Sequence, residues 1–447
     1  MIALTAAALA VMGCTTEEMN GDPESPGKSS EEGYYAADPS REGGSGYTDY
    51  TASDGEYGGE GEPTAPSDGG IPGDGGEGEG DPATPISYGV LTAAEWNDLD
   101  HWDFWCQLMK WQPGEGQEGS GVAYDDNWNV MTFAQTVEYW GFCPFNRVAV
   151  QVNNAEGRPV SNVAVDLVSA GEKVWSARTD NRGRANCWVG LFQNTSQVNP
   201  DIFRIVLNGE EQEGAPEFSL IADGECKTNT YVISTKGGES KADVAFIVDA
   251  TGSMCDEIAF LQEDLDDIIS KVVNVGNVAI RTGSLFYRDV GDEYITRPSD
   301  FSTDFSVTRE FIAQQQADGG GDYPEAVHTA LEKTLTDLSW NDEARARIAF
   351  LILDAPAHHE EKVVRSLQES IAEFARRGIN IIPVAASGID KSCEFMLRSF
   401  AIGTGGTYVF LTTDSGVGGE HIQATVGDYE VEKLNDLIAR LILEYVQ

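Results

Sequence analysis

The chain has 447 residues, with 74 Asp and Glu against 29 Lys and Arg, for a formal net charge of −45. So acidic a protein is a poor partner for nucleic acid or an anionic membrane surface and suits cationic partners or divalent ions. The 362 residues beyond position 85 are ample for two or three domains.

At the amino end, Met1 to Gly13 is apolar and small-residue-rich and runs into Cys14. It falls well short of the roughly 18 apolar residues a transmembrane helix requires. The VMGC sequence resembles a bacterial lipoprotein signal, which implies that Cys14 becomes the lipidated first residue of the mature protein; cleaved, soluble secretion is the second reading. Residues 15–85 are dense in Gly, Glu, Asp, Ser and Pro and carry 18 acidic against 2 basic side chains. There is too little apolar area to offset chain entropy and like charges repel, so a disordered acidic stalk is expected, spanning on the order of 50 Å. Glu17 and Glu18 look like the export signals of some surface lipoproteins. Without the stalk the rest of the chain still carries −29.

Residues 86–144 hold Trp96, Trp102, Trp105, Trp111, Trp128 and Trp140. Trp102, Trp105 and Leu108 suit one face of a short helix, and Gly114 to Gly121 reads as a loop. Aromatics at this density could stack on sugars; the core of a small module, or an apron on a neighbouring domain, is the favoured reading. From 145 to 236 short alternating runs (VAVQVNN, VAVDLVSA, VWSARTD, ANCWVGLF, IFRIVLNG, NTYVIST) are separated by turn residues, as in an antiparallel β-sandwich. GRPVSNVAVDLV followed by TDNRGRANCWV resembles carboxypeptidase-regulatory or transthyretin-like sandwiches, which implies a spacer without catalytic residues.

Residues 241–447 alternate strand and helix. DVAFIVDATGSM, Asp243 to Met254, holds a continuous apolar run that reads as a strand buried on both faces and emerging into a polar loop. A helix carries Ile258, Leu261, Leu265, Ile268 and Val272 on one stripe. Then come a strand Val278 to Tyr287, a hairpin-like excursion through Tyr294 and Asp304, a helix around Val307 to Gln316 and another from Pro324 to Leu338. Ile348 to Leu353 is a second buried strand ending at Asp354. A helix capped by Gly378, strands Ile379 to Ala385 and Thr407 to Leu411, and a helix Val431 to Tyr445 complete the pattern. Such alternation predicts a doubly wound (Rossmann-like) α/β fold with ligands at the carboxyl ends of the strands, the rim shared by Asp249 and Asp354.

Asp249, Thr251 and Ser253 can aim hard oxygen atoms at one point, the ligand type Mg²⁺ prefers; a capped helix start is the plainer reading. DATGSM resembles the DxSxS-type metal-ion-dependent adhesion site (MIDAS) of von Willebrand factor A (VWA) domains. DGGGDYPEAVHTAL, Asp318 to Leu331, resembles the second metal loop of bacterial VWA domains, and LILDAPAHH, Leu351 to His359, the third. The resemblance implies a metal site of Asp249, Thr251, Ser253, Asp322 and Asp354 holding Mg²⁺, with Mn²⁺ or Ca²⁺ as alternatives, and an open position for a partner's carboxylate. Many adhesive VWA domains have threonine in loop two, where this chain has GGGD, so Asp322 would add a negative charge. His358 and His359 read as a cap or as partners of Glu360 and Glu361 before they read as catalytic groups. No nucleophile elbow, phosphate loop or zinc-spaced cluster is present, so no enzyme activity is expected.

Apart from Cys14, six cysteines remain, and pairing neighbours gives Cys106–Cys143, Cys187–Cys226 and Cys255–Cys393, one bridge per module. The expected protein is a lipid-anchored component of the bacterial cell envelope, at the outer membrane or cell surface. In order, it comprises the signal (1–14), stalk (15–85), Trp-rich module (86–144), sandwich (145–236) and VWA domain (241–447). It would bind a protein or extracellular-matrix ligand through its metal and touch membrane only through the anchor. The alternatives are an architectural component of an envelope or secretion assembly with a structural or degenerate metal site, and a metal-dependent hydrolase using His358.

Overall fold

The apolar run Val244–Val248 lies at the centre of an eight-stranded sheet in the computed structural model, which describes residues 91–110, 122–124, 130–195, 197–273, 278–413 and 423–447. Cys14, the acidic stalk, Trp111 and Trp128 lie outside the described residues. Val244, Phe246 and Val248 enter one apolar core and Ala245 and Ile247 the other, all at 1% exposure or less. The run is therefore a strand buried on both faces.

In chain order, β1 (Thr92–Trp96) and α1 (Trp102–Lys110) precede a short pair, β2 (Val122–Tyr124) and β3 (Val130–Thr132), and then α2 (Phe133–Trp140). Next come β4 (Asn146–Asn153), β5 (Ala164–Ser169), β6 (Glu172–Arg178), β7 (Arg184–Trp188), β8 (Phe203–Leu207), β9 (Glu210–Glu211), β10 (Ser219–Leu220) and β11 (Thr228–Val232). The α/β part follows as β12 (Glu239–Asp249), α3 (Cys255–Val273), β13 (Ala279–Tyr287), β14 (Thr296–Ser302), α4 (Phe305–Ile312), α5 (Val327–Asp337), β15 (Ala344–Leu353) and α6 (Glu361–Arg377). It ends with β16 (Asn380–Ala385), α7 (Lys391–Thr404), β17 (Tyr408–Thr412), β18 (Glu432–Lys433) and α8 (Leu434–Val446).

The large sheet runs β14-β13-β12-β15-β16-β17-β1-β18. β13, β12, β15, β16 and β17 pair in parallel, while β14, β1 and β18 add antiparallel margins. The chain leaves β12 toward β13 on one side and resumes at β15 on the other, the switch point where such sheets bind ligands. Three expected helices start elsewhere; α8 begins at Leu434 rather than Val431 because Glu432 and Lys433 pair with β1 as β18. α4 begins earlier, because Asp304 caps it by accepting from Ser306 N at 3.1 Å. α5 begins at Val327, because Glu325 N donates to Pro356 O at 2.9 Å and Glu325 bridges Ala357 as an extended residue.

The segment 145–236 forms two four-stranded sheets, one of β10, β4, β11 and β7 and one of β6, β5, β8 and β9. One pair departs from the antiparallel expectation: β11 lies parallel to β4. Val148, Val150, Val165, Leu167 and Ile205 bury in the same core as Ile371, Phe374 and Phe400 of α6 and α7. The sheets therefore pack directly on the helices of the α/β part.

Residues 86–144 do not stand apart either. β1 pairs with β17 from Thr92↔Thr412 to Trp96↔Tyr408. Trp102, Trp105 and Trp140 are buried, Trp105 stacks on Phe395 of α7, and Trp140 Nε1 donates to Ser392 Oγ at 2.9 Å. The four described tryptophans of this segment, Trp96, Trp102, Trp105 and Trp140, are core. None of the three expected disulfides is formed, and the six cysteines are free thiols. Cys187 and Cys393 are fully buried whereas Cys226 and Cys255 are exposed, so those pairings join side chains in different environments. Cys106 and Cys143 are both buried and remain separate thiols.

One ion pair ties the amino-terminal segment down. Arg398 of α7, with no exposed surface, donates from Nε and Nη2 to Asp98 at 2.9 and 2.6 Å and from Nη1 to Thr425 O at 2.7 Å. Removing Asp98 leaves Arg398 with Glu394 at 3.2 Å as its remaining carboxylate, one already shared with Lys391. Asp98→Ala is therefore expected to lower unfolding stability by on the order of 3 kcal/mol and to shift Trp105 emission, because its ring lies 5.2 Å from the Arg398 guanidinium. An unchanged urea midpoint would refute this.

Candidate metal centre

The first loop begins where β12 ends. Asp249 is fully buried; its Oδ1 accepts from Thr251 N at 2.9 Å and from Thr251 Oγ1 at 2.7 Å. Among the described residues its buried Oδ2 accepts no well-formed hydrogen bond, although the Tyr287 hydroxyl lies close enough to hold the carboxyl down. Because β12 and β15 run parallel with Val248 opposite Ile352, Asp354 emerges beside it. Asp354 is 6% exposed, its Oδ1 is likewise buried and unpartnered among the described residues, and the Ser253 hydroxyl lies near enough to hold its carboxyl down. Of the residues expected from the sequence, the structure thus brings Asp249, Thr251, Ser253 and Asp354 together at one rim.

The second loop is stitched to the first through the backbone. Asp318 N donates to Ala250 O at 3.0 Å and Gly252 N to Gly319 O at 3.3 Å. Gly319 and Gly320 adopt φ of +82° and +75°, which an L side chain resists. Space matters too: a Cβ on Gly319 would lie 2.6 Å from the Asp292 carboxylate, and one on Gly320 would lie 3.2 Å from Glu325 Oε1 and 3.4 Å from Thr251 Cβ. The glycines let the loop pass over these groups. Asp322 sits on the exposed side of this loop. The inward carboxylate is Glu325, 3% exposed, with Oε2 buried and unpartnered. Nothing in the DGGGDYPEAV pattern separates Glu325 from an ordinary residue of a helix's first turn; only the third loop, which binds its backbone at Pro356, turns it inward.

Charge is concentrated here. Burial, with Asp354 adding to it, pushes the Asp249 carboxyl up to about 7 against the hydrogen bonds from Thr251. Burial and then Asp249, Asp289, Asp292 and Asp354 push Glu325 up to about 9. Asp354 is raised by burial, with Ser253 opposing. Three carboxylic groups with orphaned buried oxygens form a site that a cation would relieve. Among the described residues, however, no three His, Cys, Asp or Glu side chains group closely enough to hold a metal by themselves. A cation would therefore rest on Asp249 and Asp354 with hydroxyl and water oxygens, a donor set that suits a hard ion.

Arg288, which the sequence did not mark, fastens both loops. Buried to 4% exposure, it donates from Nε to Ala250 O at 3.1 Å and from Nη2 to Gln316 O at 2.9 Å, and lies 4.6 Å from the Tyr294 ring centre. The two histidines have structural partners. His358 Nε2 meets Asp289 Oδ1 at 2.7 Å, and His359 stacks on Tyr139 at 3.6 Å with Nε2 on Tyr139 O at 2.6 Å.

Residues 243–393 match a family model described as von Willebrand factor A domain. An ariadne-like RING finger protein, R811, of Acanthamoeba polyphaga mimivirus is 34% identical over 122 residues, 27% of this chain and 12% of that protein. Solved structures of proximal thread matrix protein 1 from the mussel byssus are also similar: one at 13% identity and a TM-score of 0.31, covering 46% of this chain and 45% of that one. Another, with a zinc-occupied MIDAS motif, is at 15% identity and a TM-score of 0.33, covering 46% of each chain. The chain thus spans about an eighth of the viral relative and under half of the mussel protein. The α/β part, over residues 243–393, is a von Willebrand factor A domain.

Proposed function

We propose that the VWA domain holds a divalent cation, Mg²⁺ by the hardness of its oxygen donors, and presents it to a protein or matrix ligand offering a carboxylate. The observation that carries this reading is the pair of buried, unpartnered oxygens, Asp249 Oδ2 and Asp354 Oδ1, at the carboxyl ends of adjacent parallel strands. Asp249 and Asp354 would neutralise the ion, Ser253 and Thr251 would supply hydroxyl oxygens, and Glu325 would act from the second loop in place of the exposed Asp322. The protein is a binding protein, not an enzyme, in this reading: His358 is engaged by Asp289. Lipid anchoring through Cys14 at the cell envelope, and the role of the two small sheets as a spacer sandwich, belong to the same proposal. No helix among the described residues is long and apolar enough to cross a membrane.

A second reading has one observation in its favour. The lack of three convergent His, Cys, Asp or Glu side chains among the described residues suits a weak or structural site in an architectural component of an envelope assembly.

Calorimetric titration of Mg²⁺ and Mn²⁺ into the full chain separates the two readings. Binding at millimolar concentration or tighter is expected, and its loss in a folded Asp249→Ala/Ser253→Ala variant; no binding by the wild type would favour the architectural role. Glu325→Gln should weaken the metal on the order of tenfold while Asp322→Asn changes it less than about twofold. A carboxyl whose folded pKa lies above its unfolded value costs stability as pH rises between the two. In EDTA the wild type should therefore lose stability from about pH 4 to 7 through Asp249, raised from 3.8 to about 7. Asp249→Asn should be the more stable protein at pH 8 by on the order of 2–4 kcal/mol. Equal urea midpoints for the two proteins at pH 8 would count against the buried charge.

A further inference from the structure

A cavity of about 220 Å³ opens among the two small sheets, the turn between β1 and α1, and the amino end of β16, away from the metal loops. Its lining includes Arg147, Arg178, Arg184 and Asn186, together with the carboxylates Asp100 and Asp180. In a chain with a net charge of −45, three arginines around one cavity are unusual.

Arg147 is the informative one. It is 6% exposed, yet among the described residues no carboxylate lies within ion-pair distance of it. Nε donates to Asn186 Oδ1 at 2.8 Å, Nη1 to Leu99 O at 2.8 Å, and Nη1 lies 3.8 Å from Cys226 Sγ. Trp102 supports the guanidinium, its ring centre 5.3 Å away. Among the described residues Nη2 makes no hydrogen bond. Arg398 pairs with Asp98 and Glu394, whereas Arg347, 1% exposed, is held by carbonyl and amide oxygens much as Arg147 is; what sets Arg147 apart is that it lines a cavity. The two carboxylates in the cavity wall, Asp100 and Asp180, are engaged by Arg184, at 3.0 and 3.4 Å. Asn186, whose Oδ1 is taken by Arg147, keeps its Nδ2 as an unused donor on the same wall.

We propose that this cavity binds a small oxyanion, a carboxylate or phosphate group, with Arg147 as its counter-cation and Asn186 and Arg184 as further donors. The planar guanidinium fork matches the two oxygens of either group, and a buried cation without a counter-ion is strained until one arrives. The cavity admits a head group with a few attached atoms, so the ligand is a small molecule. With long-range repulsion from the acidic chain, recognition is made at short range inside the cavity.

The test is the thermal unfolding of the full chain in sodium phosphate, sulfate or acetate against sodium chloride of equal ionic strength. At least one oxyanion should raise the wild-type melting temperature by about 2 °C or more. Arg147→Met should lose that response. Asn186→Asp sets a carboxylate against the guanidinium and supplies the counter-ion internally. It should melt above wild type in chloride and ignore added oxyanion, and it keeps the proposal testable if Arg147→Met fails to fold. A wild type that no oxyanion shifts would overturn the proposal, as would a shift that Asn186→Asp retains in full.

Discussion

The parallel ladder between β12 and β15 is the constraint on which the rest depends. Both strands are apolar over their last several residues and buried on both faces, so neither can slip in register without exposing a core side chain. Fixed registers put the first residues beyond the apolar runs side by side. Those residues are carboxylates, and the fold thereby forces Asp249 and Asp354 into a space that water scarcely reaches.

Holding such charge in place takes a supporting frame. Thr251 occupies one oxygen of Asp249, Ser253 restrains Asp354, and Arg288 binds the carbonyls of two loops from below. Gly319 and Gly320 allow the second loop to cross at close range. The frame uses backbone contacts more than side-chain ion pairs, which leaves one oxygen each of Asp249, Asp354 and Glu325 without a partner. Rigid loops around uncommitted oxygens are the usual arrangement of a preorganised ion site.

Much of this was legible in the sequence because it follows from local pattern. The runs ending at Asp249 and Asp354 read as buried strands by their continuity alone, and alternation with amphipathic helices gave the parallel order. The features that escaped depend on contacts distant in the chain. Glu325 follows Pro324 in what reads as a helix start, and only the third loop pulls it into an extended bridge with Ala357. Thr92–Trp96, TAAEW, is short and has weak strand character; it becomes a strand because β17 offers a free edge. Pairing cysteines by order along the chain ignored burial, which separates Cys255 from Cys393. Arg147 stands just before the alternating run VAVQVNN, where the sequence did not mark it; Leu99 O and the Trp102 ring lie against its guanidinium.

The place where β1 joins the sheet also decides how the domain bears tension. Whatever precedes Leu91 enters the fold through β1, whose ladder with β17 lies in the same sheet as the strands carrying Asp249 and Asp354. A pull between the amino end and a ligand held at the rim therefore travels sideways through one continuous sheet, with the Asp98–Arg398 pair as its first clasp. The two small sheets, though they lie between β1 and β12 in the chain, hang outside that line of force and need not yield when the molecule is stretched.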